Sequence, residues 1–356
     1  MPENTFTKRL LAWYGAQARD LPWRGLEDPY AIWVSEVMLQ QTRVETAIPY
    51  FQRWMGRFPT LPTLAEAAEE EVLRLWEGLG YYRRARYLHQ AAQIVMEKYQ
   101  GTLPRDPESL QELPGIGPYT AAAIASIAFD VDVPAVDGNA GRVLSRVFNV
   151  DTPLYTAKGK REIRTLAREH LPPGSASSYN QALMDLGSSI CTPQTPDCTR
   201  CPLDDLCQAN ALGNQEERPV LRDREPNPHH IVTAAVIQEN GEVLLTKRPP
   251  DALLGGLWEF PGGKLKEGES LSESLTREIQ EELSVQIHTQ EKIGTFQHAY
   301  THYKITLHAY HCALQSRDIQ LTFHTDWKWV PIDALQDFPM GKVDRLIAQQ
   351  LQAPND

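Results

Sequence analysis

The first two hundred residues follow a helical pattern of hydrophobic and polar positions. From residue 5 to about 210, apolar residues recur three and four positions apart, the spacing that gives an α-helix one apolar face. Proline and glycine fall at the breaks between these runs, for example at Pro59, Gly101 and Pro172. We therefore predict that this part of the chain is all-α.

The pattern changes after residue 210. The stretch 211–230 has few apolar residues, three prolines and seven charged side chains, which is typical of a linker. Two apolar runs follow at 231–238 and 242–248, joined by a Glu-Asn-Gly segment that predicts a hairpin turn. An amphipathic helix is expected at about 270–283 and a further strand at 303–314. The C-terminal part is therefore predicted to be α/β.

Length and composition fit a soluble protein of two domains. The 356 residues exceed the usual size of one domain, and 42% hydrophobic with 23% charged residues is ordinary for a globular chain. No apolar run is long enough to cross a bilayer, and the first residues lack the apolar core of an export signal. We expect a cytoplasmic monomer with no membrane partner.

The charge argues only mildly against nucleic-acid binding. The net charge is −11, whereas a surface that binds phosphates needs lysine and arginine. Residues 1–210 nevertheless carry 21 basic and 25 acidic side chains, and Arg83, Arg84 and Arg86 are clustered. A local basic patch can therefore bind DNA phosphates even on such a mildly acidic domain.

Four of the five cysteines lie within seventeen residues. They are Cys191, Cys198, Cys201 and Cys207, in the spacing C-x6-C-x2-C-x5-C. A reduced cytoplasm disfavours disulfides, so four clustered thiols are expected to bind one metal centre. The spacing leaves open whether that centre is a tetrahedral zinc ion or a 4Fe-4S cluster, because both accept four thiolates.

A Pro-Gly-Ile-Gly turn precedes an alanine-rich helix in the segment LPGIGPYTAAAIASIAF at 113–129. Gly115 and Gly117 allow close approach of the backbone, and the amides at the start of a helix attract anions. The motif predicts a grip on a DNA phosphate. An ordinary turn between two helices is the alternative.

Asp137 precedes a helical run from about 138 to 148. At an N-cap, backbone amides and the helix dipole favour an ionised carboxylate, so we predict a low pKa for Asp137. Capping alone would also explain an aspartate at this position.

Glu36 lies in the opposite kind of surroundings. Its neighbours at helical spacing are mainly apolar and include Ile32, Trp33 and Leu39, so burial should raise its pKa. One protonated and one ionised carboxylate are what acid-assisted cleavage of a glycosidic bond requires. The alternative is a core glutamate held by a nearby amide.

Residues 5–210 resemble the adenine DNA glycosylases of the MutY type, which belong to the helix-hairpin-helix superfamily of endonuclease III. The shared motifs occur in order as LPWR, SEVMLQQT, GLGYY, LPGIGPYTA, VDGN and NQALMDLG. The resemblance implies a 4Fe-4S cluster on the four cysteines and a DNA-repair function. The reaction it implies is base excision from double-stranded DNA, with removal of adenine opposite 8-oxoguanine or G.

The resemblance also implies roles for the site residues. Glu36 matches the acid that protonates N7 of adenine, and Asp137 matches the carboxylate that stabilises or captures the oxocarbenium ion. Asn139 and Tyr119 match residues that support this pair. Bifunctional relatives have a lysine where Tyr119 stands, so efficient strand cleavage is not expected.

Five further residues match DNA contacts of the family. Trp23 and Arg24 match the wall and the polar contact of the pocket for the extruded adenine. Gln41 and Thr42 match residues around the lesion strand, and Tyr81 matches the aromatic wedge that enters the duplex. As alternatives, Trp23 and Tyr81 are plain core aromatics and Gln41 is a solvated amide.

The segment GKLKEGESLSESLTREIQEELSV, which begins at Gly263, fits the Nudix pattern except that Ser284 replaces the final glycine. Glu278, Glu281 and Glu282 share one face of the predicted helix and are candidate Mg²⁺ ligands. In the MutY family this domain usually recognises 8-oxoguanine and has often lost these glutamates.

The segment FQHAYTHYK at 296–304 resembles the lesion-reading loop of the family's C-terminal domain. Thr301 and His302 stand where Ser and His are common, so a hydroxyl and an imidazole are kept. We expect both residues to contact DNA.

These observations predict a multidomain protein. A helix-hairpin-helix glycosylase domain at 1–210 includes the cluster loop at 191–207, a linker follows at 211–228, and a Nudix-like lesion-recognition domain occupies 229–356. The main hypothesis is an adenine glycosylase. The alternatives are a glycosylase fused to an active Nudix hydrolase of oxidised nucleoside triphosphates, and a DNA-binding module without catalysis, against which the Glu36 and Asp137 pair argues.

Overall fold

The structure is a computed structural model that describes residues 5–222 and 226–353. The chain divides into two compact units. The first unit comprises residues 1–66 and 90–224, and the second comprises 67–89 and 225–356. The second unit thus combines the C-terminal part of the chain with a short segment from within the helical region.

The first unit is helical, as the pattern predicts. Its helices are α1 (Thr5–Gln17), α2 (Pro29–Leu39), α3 (Val44–Arg57), α4 (Leu61–Ala65), most of α6 (Arg83–Tyr99), α7 (Pro107–Gln111), α8 (Pro118–Phe129), α9 (Gly138–Val147), α10 (Ala157–Glu169), α11 (Ala176–Ser189) and α12 (Gln208–Leu212). The intervening α5 (Glu69–Trp76) belongs to the second unit. Among the described residues, no helix is long and apolar enough to cross a membrane.

Helix α2 is the most deeply buried element near the candidate site. Every residue from 30 to 38 is buried, so this stretch has no side facing solvent, and the helix packs against α3 and α8. Its start is fixed by Pro29 in the first turn and by Asp28, whose side chain accepts a 3.0 Å hydrogen bond from the amide of Tyr30. The helix therefore carries Glu36 into the interior.

A second core joins α1, α9, α10 and α11 through residues such as Leu10, Leu144, Ile163 and Leu183. Helices α9 and α11 approach closely where α9 begins. A Cβ atom at Gly187 would lie 2.7 Å from the Cβ of Asn139, so only glycine fits there. This contact brings α11 against the residues that follow Asp137.

The region predicted as a linker is partly built into the first unit. A 3₁₀ turn spans Gln215–Glu217, and the amide of Leu154 donates a 3.3 Å hydrogen bond to the carbonyl of Val220. The buried guanidinium of Arg146 donates to the carbonyls of Gln215 and Arg218. Residues 223–225 lie outside the described part of the chain.

The second unit contains a mixed six-stranded sheet. Its strands are β1 (His229–Glu239), β2 (Glu242–Lys247), β3 (Trp258–Glu259), β4 (Ile287–Ala299), β5 (Lys304–Leu314) and β6 (Asp326–Pro331). Their order is β3-β2-β1-β5-β4, with β6 paired to β2; β1 and β5 are parallel and the other pairs antiparallel. The hairpin predicted between the first two strands is present.

Two helices cover the sheet, α13 (Leu271–Leu283) and α14 (Lys342–Gln352). Successive residues of β1 point to opposite faces, so Ala235 and Ile237 pack with Ile279 of α13. Val236 packs instead with Ile347 of α14. The unit is therefore a three-layer α/β structure, in agreement with the predicted class.

Candidate active site

Glu36 is buried, with only 6% of its surface exposed. The hydroxyl of Tyr119 donates a 2.8 Å hydrogen bond to its Oε2 atom. Burial raises the pKa of Glu36 to about 7, and the charge of Asp137 adds to this, whereas the Tyr119 hydrogen bond and the charge of Arg24 lower it. The expected rise is confirmed, and the carboxyl group is able to carry a proton near neutral pH.

Asp137 is the N-cap of α9, as predicted. Its Oδ1 accepts a 2.7 Å hydrogen bond from the amide of Ala140, and its Oδ2 accepts one of 2.8 Å from the side chain of Asn139. The prediction of a low pKa is wrong, because burial raises the pKa of Asp137 and outweighs these hydrogen bonds and the charge of Arg142. The packing around the start of α9 removes water that an exposed cap would keep.

Tyr119 lies in the first turn of α8, directly after the hairpin. Burial and the charges of Glu36 and Asp137 raise its pKa well above the usual value for tyrosine, so its hydroxyl remains a donor. In the turn before it, Gly115 has a φ of 78°, which favours glycine, whereas Gly117 has an ordinary φ of −85° and serves as the N-cap. Gly117 has no side chain to occupy the first amides of α8.

Arg24 and Trp23 lie in the first unit with different partners. The guanidinium of Arg24 donates a 2.6 Å hydrogen bond to Asp185, which is 1% exposed and also accepts from Arg19. The Nε atom of Arg24 is buried without a hydrogen-bond partner among the described residues. Trp23 is buried and packs edge-on against Phe51, with ring centroids 5.3 Å apart.

Gln41 and Thr42 follow the end of α2. Gln41 is exposed and has a φ of 58°, a left-handed conformation that is uncommon outside glycine. Thr42 is half-buried, and its amide donates a 3.2 Å hydrogen bond to the carbonyl of Leu39. Gln40, which the sequence did not single out, donates from its side chain to Thr120 on α8. This turn is therefore joined to the helix that carries Tyr119.

Tyr81, Thr301 and His302 all belong to the second unit. The hydroxyl of Tyr81 donates a 2.6 Å hydrogen bond to Oγ1 of Thr301, and both side chains lie at the surface. His302 is also exposed. Tyr81 is 40% exposed and has a φ of 48°, so it is not a plain core aromatic.

The four clustered cysteines line one cavity of about 380 Å³, counting the space that opens to solvent. Arg146 donates a 3.3 Å hydrogen bond to Sγ of Cys191, and its backbone carbonyl accepts one from the thiol of Cys207. Within the described residues, no three His, Cys, Asp or Glu side chains are arranged to hold a metal ion. The four thiols around this cavity are the kind of donors that a four-thiolate metal centre requires.

Arg142 connects the cysteine loop with the start of α9. Its guanidinium donates 2.8 Å hydrogen bonds to the side chain of Asn139 and to the carbonyls of Gly187 and Cys191. Asn139 in turn donates to Asp137. Besides the amide of Ala140, Asn139 therefore holds Asp137 directly, and Arg142 supports it through Asn139.

The three glutamates of the Nudix-like helix differ in their surroundings. Arg277 donates hydrogen bonds of 2.8 Å to Glu278 and 3.1 Å to Glu281. Glu282 is mostly buried, and its Oε2 lies 4.0 Å from the ring of His324. Burial, with the charges of neighbouring glutamates, raises the pKa of Glu282 to about 8. The three side chains are on one helix, but two of them are paired with an arginine.

Sequence reasoning missed Asp185, Arg142 and Arg19. Asp185 lies in the NQALMDLG motif on a helix with buried neighbours, where an acidic side chain requires a partner. An acidic residue among buried neighbours was therefore a signal in the sequence that could have identified Asp185. The partner, Arg24, lies 161 residues away, and sequence spacing offered no sign of it.

Comparison with known proteins agrees with this arrangement. A family profile described as "HhH-GPD superfamily base excision DNA repair protein" matches residues 34–173, and a profile described as "NUDIX domain" matches 232–350. Among solved structures, a thermostable thymine-DNA glycosylase superposes with a TM-score of 0.53 at 27% identity, covering 58% of this chain and 95% of that one. An endonuclease III–DNA complex shares the fold, with a TM-score of 0.51 at 22% identity over 58% of this chain and 94% of its own.

Curated relatives match most of the chain. The adenine DNA glycosylase of Rattus norvegicus is 36% identical, over 92% of this chain and 74% of its own length. The adenine DNA glycosylase of Buchnera aphidicola (strain APS) is 34% identical over 85% of each chain. Together with the buried Glu36, the capping Asp137 and the hairpin, these matches identify the chain as a member of the adenine DNA glycosylase family, a DNA glycosylase of base-excision repair with a C-terminal Nudix domain.

Proposed function

We propose that the enzyme removes adenine that is paired with 8-oxoguanine or with G in double-stranded DNA. The observation that carries the proposal is the buried Glu36, whose pKa of about 7 lets it hold a proton at neutral pH, beside the fixed donor Tyr119. The matched relatives bear the name adenine DNA glycosylase. We further propose that the enzyme acts as a monomer in the cytoplasm.

Glu36 is the acid of the reaction. Tyr119 donates to Oε2, so the transferable proton is carried by Oε1. This proton passes to N7 of the extruded adenine, the C1′–N9 bond breaks, and its electron pair leaves with the base. The sugar is left as an oxocarbenium ion.

Asp137 faces the positive charge that forms on the sugar. Its carboxylate is held by the amide of Ala140 and the side chain of Asn139, so it does not need to reorient during the reaction. It stabilises the cation or captures it at C1′ until water attacks. The attacking water passes its proton to the solvent in this step, and an abasic site remains.

The adenine pocket is formed in part by Trp23 and Arg24. Arg24 is held by Asp185, and its Nε is a buried donor without a partner among the described residues, which supports a polar contact to the base once the pocket opens. Trp23 supplies an apolar wall. Gly115 and Gly117 let the start of α8 approach a DNA phosphate.

The reaction stops at the abasic site. A lyase needs an amine that forms a Schiff base with C1′, and Tyr119 supplies a phenol instead. Borohydride reduction during turnover should trap little covalent adduct between enzyme and DNA. Efficient trapping that is lost on changing one lysine would contradict this part of the proposal.

We propose that Gln41 and Thr42 of the first unit contact the lesion strand. In the second unit, Tyr81, Thr301 and His302 are the residues proposed to contact DNA. Tyr81 is the wedge, since an exposed aromatic in a left-handed turn is suited to enter the stack. Left-handed conformations at Gln41 and Tyr81 carry a conformational cost, which is common at functional positions.

We propose that Cys191, Cys198, Cys201 and Cys207 hold a 4Fe-4S cluster. Their shared cavity and the arginine at Cys191 support a centre held by four thiolates, and the resemblance to the endonuclease III superfamily favours iron over zinc. The four thiolates would hold the cluster and thereby fix their loop, whose Cys191 carbonyl accepts a hydrogen bond from Arg142. Iron and acid-labile sulfide in equal amounts are expected on analysis, and stoichiometric zinc without iron would contradict the assignment.

A nucleotide hydrolase at Glu278, Glu281 and Glu282 is the weaker alternative. Two of these carboxylates are paired with Arg277, and the third is largely buried. Arg277 places a positive charge beside Glu278 and Glu281, and Glu282, whose pKa burial raises to about 8, carries a proton at neutral pH, so a Mg²⁺ ion would be held weakly. We propose that this helix has a structural role.

A single-turnover assay on four duplexes tests the substrate. Adenine is placed opposite 8-oxoguanine, G, C or T, and the rate of base release by the full chain is measured for each. We expect release opposite 8-oxoguanine to be fastest, opposite G to be slower, and opposite C and T to be negligible. Equal rates on all four duplexes would contradict the proposed specificity.

A further inference from the structure

The turn that carries Tyr81 contains three residues in left-handed conformations. Gly78, Gly80 and Tyr81 have φ values of 100°, 73° and 48°. Trp76 and Arg84 both donate hydrogen bonds to the carbonyl of Gly80, of 3.0 Å and 3.1 Å. A tyrosine keeps such a conformation only where its surroundings fix it. The turn is therefore set by its contacts rather than by its own preference.

The tip of the Tyr81 ring is held by the C-terminal part of the second unit. Its hydroxyl donates a 2.6 Å hydrogen bond to Oγ1 of Thr301. The loop of Thr301 is anchored in turn, because the side chain of Asn227 donates a 3.0 Å hydrogen bond to the carbonyl of Thr301. This contact fixes the ring but not the backbone that precedes it.

The backbone before the turn is held by a second contact at Glu77, the C-cap residue that follows α5. Arg345 donates two hydrogen bonds to its carboxylate, from Nε to Oε1 at 2.6 Å and from Nη2 to Oε2 at 3.0 Å. The amide of Met340 adds a third, at 3.1 Å to Oε2. The two side chains are only 15% and 19% exposed, so water screens this ion pair little.

Arg345 is itself fixed to its own segment. Its Nη1 donates a 2.8 Å hydrogen bond to the carbonyl of Leu335. A bidentate arginine that is tied to backbone on one side sets both the distance and the orientation of the carboxylate on the other. Glu77 is consequently held at a defined place immediately before Gly78.

We propose that Arg345, acting through Glu77, is a positioning residue for Tyr81 and thereby for discrimination between 8-oxoguanine and G opposite adenine. The inference rests on the wedge role proposed for Tyr81. The wedge has to be in place when the pair is opened, and a turn made of left-handed residues loses its alignment once its anchor is removed. Arg345 touches no DNA base in this scheme.

Three variants of the full chain test the proposal. Arg345→Gln and Glu77→Gln remove the two charges in turn, and both keep a hydrogen-bonding side chain. Arg317→Gln is the matched control, because Arg317 forms an exposed ion pair with Glu239 in the same unit. Arg345→Lys keeps the charge without the bidentate geometry and serves if Arg345→Gln does not fold.

The first readout is independent of catalysis. 3-Fluorotyrosine is placed at position 81, and its ¹⁹F resonance is recorded in each variant. We expect the resonance to shift or broaden in Arg345→Gln and Glu77→Gln, to change less in Arg345→Lys, and to stay unchanged in Arg317→Gln.

The second readout is the ratio of single-turnover rates on 8-oxoguanine:A and G:A duplexes. It should fall about tenfold in Arg345→Gln and in Glu77→Gln, the size expected for loss of a charge-assisted hydrogen bond. The double variant should be no worse than either single one, because both act through one contact.

The two readouts separate the possible failures. An unmoved ¹⁹F resonance in folded Arg345→Gln would overturn the positioning itself, whatever the rates. A moved resonance with an unchanged rate ratio would contradict the lesion-reading role of Tyr81 and, with it, the link from Arg345 to discrimination.

Discussion

The hydroxyl of Tyr119 donates a hydrogen bond of 2.8 Å to Oε2 of Glu36, from the first turn of α8 to the middle of α2. A donor to a carboxylate stabilises its charged form, so this bond opposes the effect of burial on the pKa of Glu36. The pair therefore sets the pH at which the acid loses its proton.

Replacing Tyr119 with phenylalanine should move the alkaline limit of activity. Glu36 must be protonated to act, so the single-turnover rate falls as the pH rises through its pKa of about 7. Without the hydrogen bond the pKa of Glu36 rises, so the fall in the single-turnover rate should occur about one pH unit higher. Tyr155→Phe, at an exposed tyrosine, is the matched control and should keep the wild-type profile. A fall at lower pH in Tyr119→Phe would refute this reading of the contact.

Glu36 should also make the fold less stable at alkaline pH. Its pKa is raised in the folded state from 4.5 to about 7, so its contribution is fully present below the unfolded value and is lost as the pH rises through the folded one. Glu36→Gln removes this loss. The unfolding free energy of the variant relative to that of wild type should therefore increase from about pH 5 to about pH 8, by at most about 3 kcal/mol. Urea unfolding of both proteins at the two pH values measures this change. The same difference between variant and wild type at both pH values would count against a buried acid with a raised pKa.

Asp137→Asn should abolish most activity while the fold is kept. Asparagine retains an oxygen for the amide of Ala140 but has no charge to face the sugar cation. The excision rate should drop about a hundredfold or more. Asp106→Asn is the matched control, since Asp106 caps α7 through a 2.8 Å hydrogen bond from Ser109. Loss of folding in Asp137→Asn alone would favour a purely capping role.

Part of this site follows from sequence and part does not. The burial of Glu36 follows from its apolar neighbours, because α2 is local and its period can be read directly. The pKa of Asp137 was predicted in the wrong direction, because its burial depends on Gly187 bringing α11 against Asn139, about fifty residues further along the chain. Local propensity predicts a cap, but only tertiary packing determines how much water the cap keeps.

In the second unit, too, some features could be predicted from the sequence and others could not. Three strands and the Nudix-like helix follow from the apolar runs at 231–238, 242–248 and 303–314 and from the amphipathic pattern at about 270–283. The grouping of residues 67–89 with the C-terminal residues could not be predicted from the sequence, because it depends on contacts such as the 2.8 Å ion pair of Glu70 with Lys247. No spacing rule connects residues this far apart.

The Nudix-like helix should not support hydrolysis of nucleoside triphosphates. The full chain is incubated with Mg²⁺ and 8-oxo-dGTP, and monophosphate release is followed. We expect none above background, because Arg277 places its charge beside Glu278 and Glu281 and burial raises the pKa of Glu282 to about 8. Brisk release that disappears in Glu281→Gln, with adenine excision unchanged, would show that the helix is an active site.

The most direct test of the central claim is the excision rate of Glu36→Gln under single-turnover conditions on an 8-oxoguanine:A duplex. An amide has nearly the same shape but no proton to give, so DNA binding should persist while the rate falls by about a hundredfold to ten-thousandfold. Glu112→Gln, at an exposed glutamate, should behave as wild type. Near wild-type excision by folded, DNA-binding Glu36→Gln would show that another group supplies the proton and would contradict the account.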